Sequence, residues 1–166
     1  MKPILNIDDL TYTDWGRGDK FQAKLGAVGI KIGAQKLGYN VTIVPAGKCA
    51  FPHHNHRTNE EMFFIIDGSG ELRVGEETFP LRAGDIIACP PGGPETAHQI
   101  VNTSEHELKY LSVSTMISPE ITEYPDSGKI GAFLYLPPDA EGNPQRLRYV
   151  IKNRQTDMDD YWDGEA

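Results

Sequence analysis

The chain has little of what stabilises small secreted domains or anchors membrane proteins. Its 166 residues include two cysteines, Cys49 and Cys89, too few for a disulfide framework. Their apolar surroundings predict buried free thiols. No apolar run approaches the roughly 18 residues of a membrane-spanning helix, and residues 1–15 lack the apolar stretch of a signal peptide. We therefore expect a cytoplasmic protein that does not insert into a membrane.

Basic residues are also few. Sixteen Lys and Arg stand against 24 Asp and Glu, which gives a formal net charge of −8 at pH 7. A surface of that sign repels phosphate backbones, so we expect no nucleic-acid partner.

Glycine and proline, by contrast, are abundant, with 17 and 12 residues spread along the chain. They separate short segments at regular intervals: 39–47 alternates and is β-branched, 61–67 is a continuous apolar run, and 107–115 is strand-like. Turn signals lie at Asp67-Gly68 and Gly75. Regular spacing of this kind predicts an all-β sandwich or barrel. The length fits one domain with a core of its own.

The two ends are less regular than the middle. We interpret residues 1–38 as an N-terminal arm with edge strands, residues 39–115 as the core barrel, and residues 116–166 as C-terminal strands with an acidic tail. Residues 21–33 predict one or two short strands broken by glycine, whereas 117–131 reads as irregular. Residues 155–166 carry five acidic residues and no basic one, which is typical of a frayed acidic terminus, whereas Tyr161 and Trp162 argue for a docked tail.

Three histidines lie within four positions, at His53, His54 and His56, followed by two adjacent glutamates, Glu60 and Glu61. Side chains at i and i+2 of a strand share a face. A strand here therefore directs His54 and His56 to one face and His53 to the other.

A third imidazole on the same face would come from His98, in the strand-like segment 97–102. If these faces meet inside a barrel, three imidazoles converge, and Glu60 or Glu61 can add a carboxylate. Two or three His with one carboxylate bind Fe(II), Mn, Ni, Cu or Zn. The sequence thus predicts a metal centre.

Two spaced motifs resemble those of the cupin superfamily. The first has four residues between its histidine pair and its glutamate, and six more before a glycine: Gly47, His54, His56, Glu61 and Gly68. The second has five residues between glycine and proline, and three between histidine and asparagine: Gly84, Pro90, Gly92, His98 and Asn102. Fifteen residues separate the motifs. A looser likeness extends to small single-domain bacterial cupins that are sometimes labelled sugar-phosphate isomerase-like.

The resemblance implies a cupin-like double-stranded β-helix, a jelly-roll barrel, in a single domain over 1–166. It selects Glu61 over Glu60 as a ligand, leaving Glu60 a flanking or supporting residue. One divalent transition metal, Zn, Mn, Fe or Ni, is implied, with the ligands His54, His56, Glu61 and His98. Small cupins also resemble dimers joined through an N-terminal strand, so we expect a homodimer.

Two departures from the family pattern stand out. Six residues rather than five separate Gly47 from the histidine pair, which affects only the entry to that strand. The loop between Gly92 and His98 is longer than the usual two residues, so its sequence GGPETA predicts a flap at the rim of the pocket.

The barrel predicts a pocket for a small polar molecule, with Phe63, Ile65 and Ile100 as wall or plain core residues. The first hypothesis is a metal-dependent isomerase or epimerase of a sugar phosphate. It needs a second titratable group, for which Glu60, Glu95 and His53 are the catalytic candidates. Cations available for a phosphate are Arg57, Lys48, Arg73 and Arg82.

Two other functions fit the same ligand set. The second hypothesis is a metal-dependent dioxygenase that holds a substrate and O₂ at open coordination positions. The third is a non-catalytic module that binds a small molecule such as a sugar. A charged group within reach of an open metal position favours an enzyme, whereas an apolar pocket without a base favours a binding protein.

Overall fold

A computed structural model describes residues 2–137, 139 and 145–152. This part of the chain is all-β with almost no helix: it has one four-residue α-helix, α1 (Gly29–Ile32), and three short 3-10 helices, Ile7–Asp9, Pro94–Thr96 and Pro125–Ser127. The strands are β1 (Thr13–Arg17), β2 (Phe21–Ala27), β3 (Leu37–Val44), β4 (Asn55–His56), β5 (Glu61–Asp67), β6 (Ser69–Val74), β7 (Glu77–Arg82), β8 (Ile86–Cys89), β9 (His98–Val101), β10 (Leu108–Thr115), β11 (Glu120–Tyr124), β12 (Lys129–Leu136) and β13 (Gln145–Lys152).

The strands form three antiparallel groups. Six strands are ordered β1-β2-β3-β10-β5-β8, three are ordered β7-β6-β9, and four are ordered β13-β12-β11-β4. Neighbours such as β3 and β10 are far apart in sequence, which is the crossing connectivity of a jelly roll. The predicted all-β double-stranded β-helix is confirmed.

The core lies between the sheets and is built by alternation along the strands. In β10, Leu108 and Tyr110 are buried while Lys109 and Leu111 are less so, because successive side chains point to opposite faces. Leu108, Tyr110 and Ile65 are each at most 1% exposed and pack in one cluster with Phe63. Cys49 and Cys89 are buried and free, as predicted.

The turn after β5 requires glycine. Gly68 has a φ of +86°, and a Cβ on it would lie 2.5 Å from the carbonyl oxygen of Glu107. Any larger residue would push apart the chain segments around β5 and β10.

The N-terminal region follows the prediction only in part. β2 is the expected strand, but Gly29–Ile32 forms a helical turn rather than a second strand. The turn ends at Gly33, whose φ of 87° suits the left-handed conformation that closes a helix. Ile32 of this turn packs against a second apolar cluster that contains Val28 and Val41.

The interpretation of 117–131 as irregular was wrong, because this segment contains β11 and the start of β12. The predicted tail, with Tyr161 and Trp162, lies outside the described residues. Within the described ranges, each helix is too short to cross a membrane.

Candidate metal centre

A backbone bridge places two of the predicted ligands side by side. The amide of His54 donates to the carbonyl of His98 at 3.2 Å, and the amide of His98 donates back at 2.8 Å. Directly opposed residues of an antiparallel pair direct their side chains to the same face. The two imidazole centroids are therefore only 4.8 Å apart.

The three imidazoles converge on one carboxylate oxygen. Oε2 of Glu61, the first residue of β5, lies 3.0 Å from Nε2 of His98, 3.4 Å from Nε2 of His56 and 3.8 Å from Nε2 of His54. Ligand atoms of His54, Glu61 and His98 all lie within 4.8 Å of one another. The structure thus gathers all four residues of the predicted set, and we call these four residues the metal end.

The opposite ring nitrogens are held by the protein. Nδ1 of His54 donates to the carbonyl of Pro52 at 2.8 Å, and Nδ1 of His98 lies 3.4 Å from the carbonyl of Thr96. The carbonyl of Pro52 only accepts, so in a neutral His54 ring Nδ1 carries the proton and Nε2 keeps its lone pair. Nε2 of His98 lies 3.0 Å from the Glu61 carboxylate, so both ring nitrogens of His98 face acceptors. The contact with Pro52 thus orients Nε2 of His54 to give its lone pair to a cation.

His56 is oriented by a carboxylate that sequence reasoning missed. Its Nδ1 lies 3.6 Å from Oε1 of Glu120, which is 3% exposed. Glu120 also accepts from the amides of Arg57 at 3.1 Å and Asn59 at 2.9 Å, and from the Asn59 side chain. The alternation of EITEY could have pointed to Glu120. Glu120 and Thr122 share one face of β11, and Thr122 is opposite His56 of β4.

The charges of the four residues are strongly coupled. Burial, followed by the neighbouring His98, lowers the pKa of His54 to about 4. Burial also works against a charge on His56, but its contacts with Glu120 and Glu61 raise its pKa to about 9. For Glu61, burial is outweighed by hydrogen bonds to His56 and His98, which hold its pKa well below the usual range.

A divalent cation fits this arrangement. Three Nε2 atoms surround one oxygen of Glu61, so a divalent cation bound there would meet imidazole nitrogens and a negative charge together. Nε2 of His56, 3.4 Å from that oxygen, is itself buried. The donor set of imidazole nitrogens and one carboxylate suits Zn, Mn, Fe or Ni.

The metal end opens into a cavity of about 270 Å³, here called the metal-site cavity. A neighbouring cavity of about 540 Å³ shares some of its lining: Trp15, Phe51, His54, Tyr124 and Arg148. The ring of Tyr124 stacks on that of His54, with centroids 6.1 Å apart and planes inclined by 22°. Of the predicted wall residues, Phe63 lines the metal-site cavity, whereas Ile65 and Ile100 belong to the core.

The three catalytic candidates do not line either cavity. The side chain of Glu60 is exposed, and the carboxylate of Glu95 accepts from the amide of Gly93 at 2.9 Å. His53 is buried on the opposite face from its neighbours, as predicted, and its Nε2 donates to the carbonyl of Ala97 at 2.9 Å. Their catalytic role stays a prediction without support from their positions.

The cations expected for a phosphate also lie elsewhere. Three of them pair with carboxylates outside the cavity lining: Lys48 with Asp19 at 2.7 Å, Arg57 with Glu123 at 2.8 Å and Arg73 with Asp126 at 2.9 Å. Arg82 lies on β7, away from both cavities. The cations that do line the cavities come from other elements: Arg17, Lys129, Arg146 and Arg148.

The loop GGPETA does not form the predicted flap. The amide of Gly92 donates to the carbonyl of His56 at 2.8 Å, and the side chain of Asn55 donates to the carbonyl of Gly92 at 2.9 Å. These bonds hold the loop against β4, and none of its residues lines the two cavities.

Sequence comparison with known proteins matches residues 40–114 to the Cupin domain family. A curated relative, an uncharacterized protein of Methanocaldococcus jannaschii, is 38% identical over 72 residues. The matched region covers 43% of this chain and 54% of the relative. The chain thus spans about half the length of that protein.

Two solved structures resemble nearly the whole chain. One, from Acidithiobacillus ferrooxidans and provisionally named a sugar phosphate isomerase, has a TM-score of 0.76 at 18% identity, covering 95% of this chain and 96% of its own. Another, a sugar phosphate isomerase from a cupin superfamily of Silicibacter pomeroyi, has a TM-score of 0.72 at 22% identity, covering 90% and 92%. These likenesses establish the fold, and the family match identifies residues 40–114 of this chain as a cupin domain.

Proposed function

We propose that this chain holds one divalent transition metal at the metal end and uses it to bind a small polar molecule in the metal-site cavity. The ligands are His54, His56, Glu61 and His98. The observation that carries the proposal is the convergence of three Nε2 atoms on one Glu61 oxygen. Bound there, the ion polarises a carbonyl or hydroxyl oxygen of the ligand and stabilises negative charge on it.

The cavity wall supports a hydroxyl-rich ligand. Asn40 and Ser112 are opposed on β3 and β10, and both line the metal-site cavity together with Ser114. Oγ of Ser112 is buried and has no hydrogen-bond partner among the residues that the structure describes. Because buried hydroxyls are nearly always paired, this one is available to a ligand.

The substrate class that we favour is a sugar phosphate, which the chain would isomerise or epimerise. The names of the two structural relatives support this class. Interconversion of an aldose and a ketose moves a proton between carbon and oxygen. Burial raises the pKa of the Tyr124 hydroxyl, so this hydroxyl stays protonated and can donate a hydrogen bond to the ligand.

A non-catalytic binding protein is the second candidate, favoured by one observation. Two carboxylates line the described part of the metal-site cavity, Glu61 and Glu120, and both are engaged with histidines or backbone amides. A carboxylate held by several donors is a poor proton acceptor. The cavity therefore contains no unengaged carboxylate to act as the base.

The metal site is tested by elemental analysis of purified protein loaded with Zn, Mn, Fe(II) or Ni. We expect about one equivalent of metal in the wild type and a near-complete loss in His98→Ala and His56→Ala. His106→Ala is the matched control, since His106 is exposed and distant from the cavity in the fold. Unchanged occupancy in the two site variants would refute the ligand set.

Catalysis is tested separately with the metal-loaded wild type. Aldose and ketose phosphates are incubated with the protein, and exchange of the substrate C–H proton with deuterium is followed by NMR. Exchange that disappears in His98→Ala supports the isomerase. Saturable binding of the same compounds without exchange, for every metal that loads, supports the binding protein.

We also propose that the chain forms a homodimer. β1 is at the edge of the six-stranded sheet, and an exposed edge presents unpaired backbone groups to a second copy. Light scattering at micromolar concentration should give twice the 18.4 kDa mass of one chain. A single-chain mass would contradict it. The cytoplasmic location stays a prediction.

A further inference from the structure

We infer that Arg146 and Arg148 of β13 form a binding site for the phosphate of a phosphomonoester whose hydroxyls reach the metal end. The inference rests on the proposed function in taking the metal-site cavity to be the place where a ligand binds. It adds the residues that recognise the anionic group, which lie far in sequence from the cupin motifs.

The two arginines lie on the same side of one strand. They are two residues apart in β13, so their Cα atoms are about 7 Å apart along the strand and their side chains share a face. Both line the metal-site cavity, together with His54, His56 and Glu61. A ligand in that cavity can therefore contact both the guanidinium groups and the metal end.

An aromatic ring holds both guanidinium groups. The Cζ atoms of Arg146 and Arg148 lie 5.4 Å and 5.8 Å from the centroid of Phe133, which pairs with Arg148 across β12 and β13. Stacking on a ring face restrains a guanidinium and leaves its N–H groups free at the edge. We call this group, Arg146, Arg148 and Phe133, the arginine end.

Within the described ranges, the guanidinium groups of the arginine end have no carboxylate partner. Among the described residues, neither Arg146 nor Arg148 forms an ion pair, in contrast to Arg57 and Arg73. The two cavities are lined by four cations in a protein of net charge −8, and the third and fourth are Arg17 and Lys129. Such a local reversal of sign attracts an anionic ligand.

A phosphate fits the two guanidinium groups better than a carboxylate does. A guanidinium binds a tetrahedral oxyanion through two parallel N–H···O bonds, and a phosphomonoester offers three terminal oxygens for two such groups. One carboxylate has two oxygens, which a single arginine satisfies. The hydroxyl and amide groups of the opposite wall then remain for the neutral part of the ligand.

The test is isothermal titration calorimetry with glucose 6-phosphate as the probe. Glucose and glucuronate are the neutral and carboxylate-bearing comparisons, and inorganic phosphate tests the isolated anion. We expect the phosphorylated sugar to bind tightest, with an affinity that falls as salt is added. Each of Arg146→Gln and Arg148→Gln should weaken it about tenfold, and the double variant about a hundredfold.

Arg82→Gln is the matched control, because it removes the same charge from β7, outside both cavities. It should leave the affinity unchanged. Arg146→Lys with Arg148→Lys keeps the charge without the forks and should recover only part of the loss. Equal binding by wild type and the double glutamine variant, tighter binding of glucuronate, or no binding of any phosphate compound by the wild type would overturn the inference.

Metal content, measured on the same samples, separates the two proposals. If the arginine end is right, Arg146→Gln with Arg148→Gln retains the wild-type metal content while losing phosphate affinity. Phosphate-dependent binding by a wild type that holds no metal would refute the proposed metal centre and leave the arginine end intact. If the wild type and the double glutamine variant hold the same amount of metal and bind phosphate equally, the arginine end is refuted and the metal centre stands.

Discussion

The two ends of the metal-site cavity are built in different ways. The metal end consists of four residues on β4, β5 and β9 and in the bridge between His54 and His98, directly above the buried core. The arginine end lies on β12 and β13, where every residue of β13 is exposed. The metal ligands, which need fixed geometry, lie on packed strands. The arginines, whose side chains are long and adaptable, lie on the exposed strand β13.

The contrast extends to electrostatics. At the metal end, histidines and carboxylates are buried and shift one another's pKa values in both directions. At the arginine end, the charges are exposed and are restrained by Phe133 rather than by ion pairs. Substitutions at the two ends should therefore differ in what they change: stability and metal retention at one, anion affinity at the other.

The largest expected effect is on the free energy of unfolding, and it distinguishes the barrel core from the exposed strand β13. Ile65→Ala removes a side chain that is 0% exposed, next to β10 and β8, and should lower the free energy of unfolding by about 2–5 kcal/mol. Ile151→Ala makes the same chemical change on β13, where the residue is 63% exposed, and should cost no more than about 0.5 kcal/mol. Urea denaturation measures both. Similar costs would show that β13 is packed as firmly as the core.

The next effect concerns how His56 is held. Glu120→Gln keeps the shape of the side chain but weakens the contact with His56 Nδ1, so metal affinity should fall about 10–100-fold. Glu123→Gln, on the same strand, is the control, because Glu123 pairs with Arg57 and Asn55 instead. Competition with a chelator of known affinity gives both values. Equal metal affinity in the two variants would remove Glu120 from the site.

A smaller effect is expected at the ring that restrains the arginines. Phe133→Leu keeps an apolar side chain but loses the ring face, and should weaken glucose 6-phosphate binding about two- to fivefold with metal content unchanged. Phe79→Leu, on β7, removes a ring that is 44% exposed and outside both cavities. Calorimetry compares the two variants. A loss of metal in Phe133→Leu would mean that the two ends are not independent.

The smallest expected effect concerns the two cysteine thiols, which should not react in the folded protein. Cys89 is opposite Glu61 across β5 and β8, and burial, followed by the charge of Glu61, raises the pKa of its thiol to about 12. Burial likewise raises the pKa of Cys49. Both thiols therefore stay protonated at pH 8, and the folded protein should not react with a disulfide reagent. Two equivalents should react in denaturant. Rapid reaction of the folded protein would show that solvent reaches this part of the core.

The sequence predicted the metal end much better than the arginine end, for a physical reason. His54, His56 and Glu61 lie within eight positions, where the two-residue period of a strand and the motif spacing determine which side chains share a face. The regular spacing of short strand-like segments and turns likewise predicted the barrel. These signals come from residues close together in the sequence. His98 is distant from them and was predicted as a ligand from its position in the second motif.

The residues that were missed depend on long-range pairing. Glu120 lies near His56 because β11 pairs with β4, although the two residues are 64 positions apart in the sequence. Arg146 and Arg148 alternate with apolar residues, so a strand was evident, but nothing in that pattern tells which face meets the cavity. The same limit explains the candidates that were misplaced: Arg57 and Glu60 are close in sequence to the ligands and point elsewhere.

The bridge between His54 and His98 has a consequence for mechanical and proteolytic resistance. It joins strands 44 positions apart through one reciprocal pair of hydrogen bonds. A cation held by both imidazoles would act there as a reversible cross-link that closes this long loop. At a free ion concentration of about 1,000 times the dissociation constant, it would add about 4 kcal/mol to the folded state. The barrel's lifetime in the cell would then follow the supply of the ion as well as its sequence.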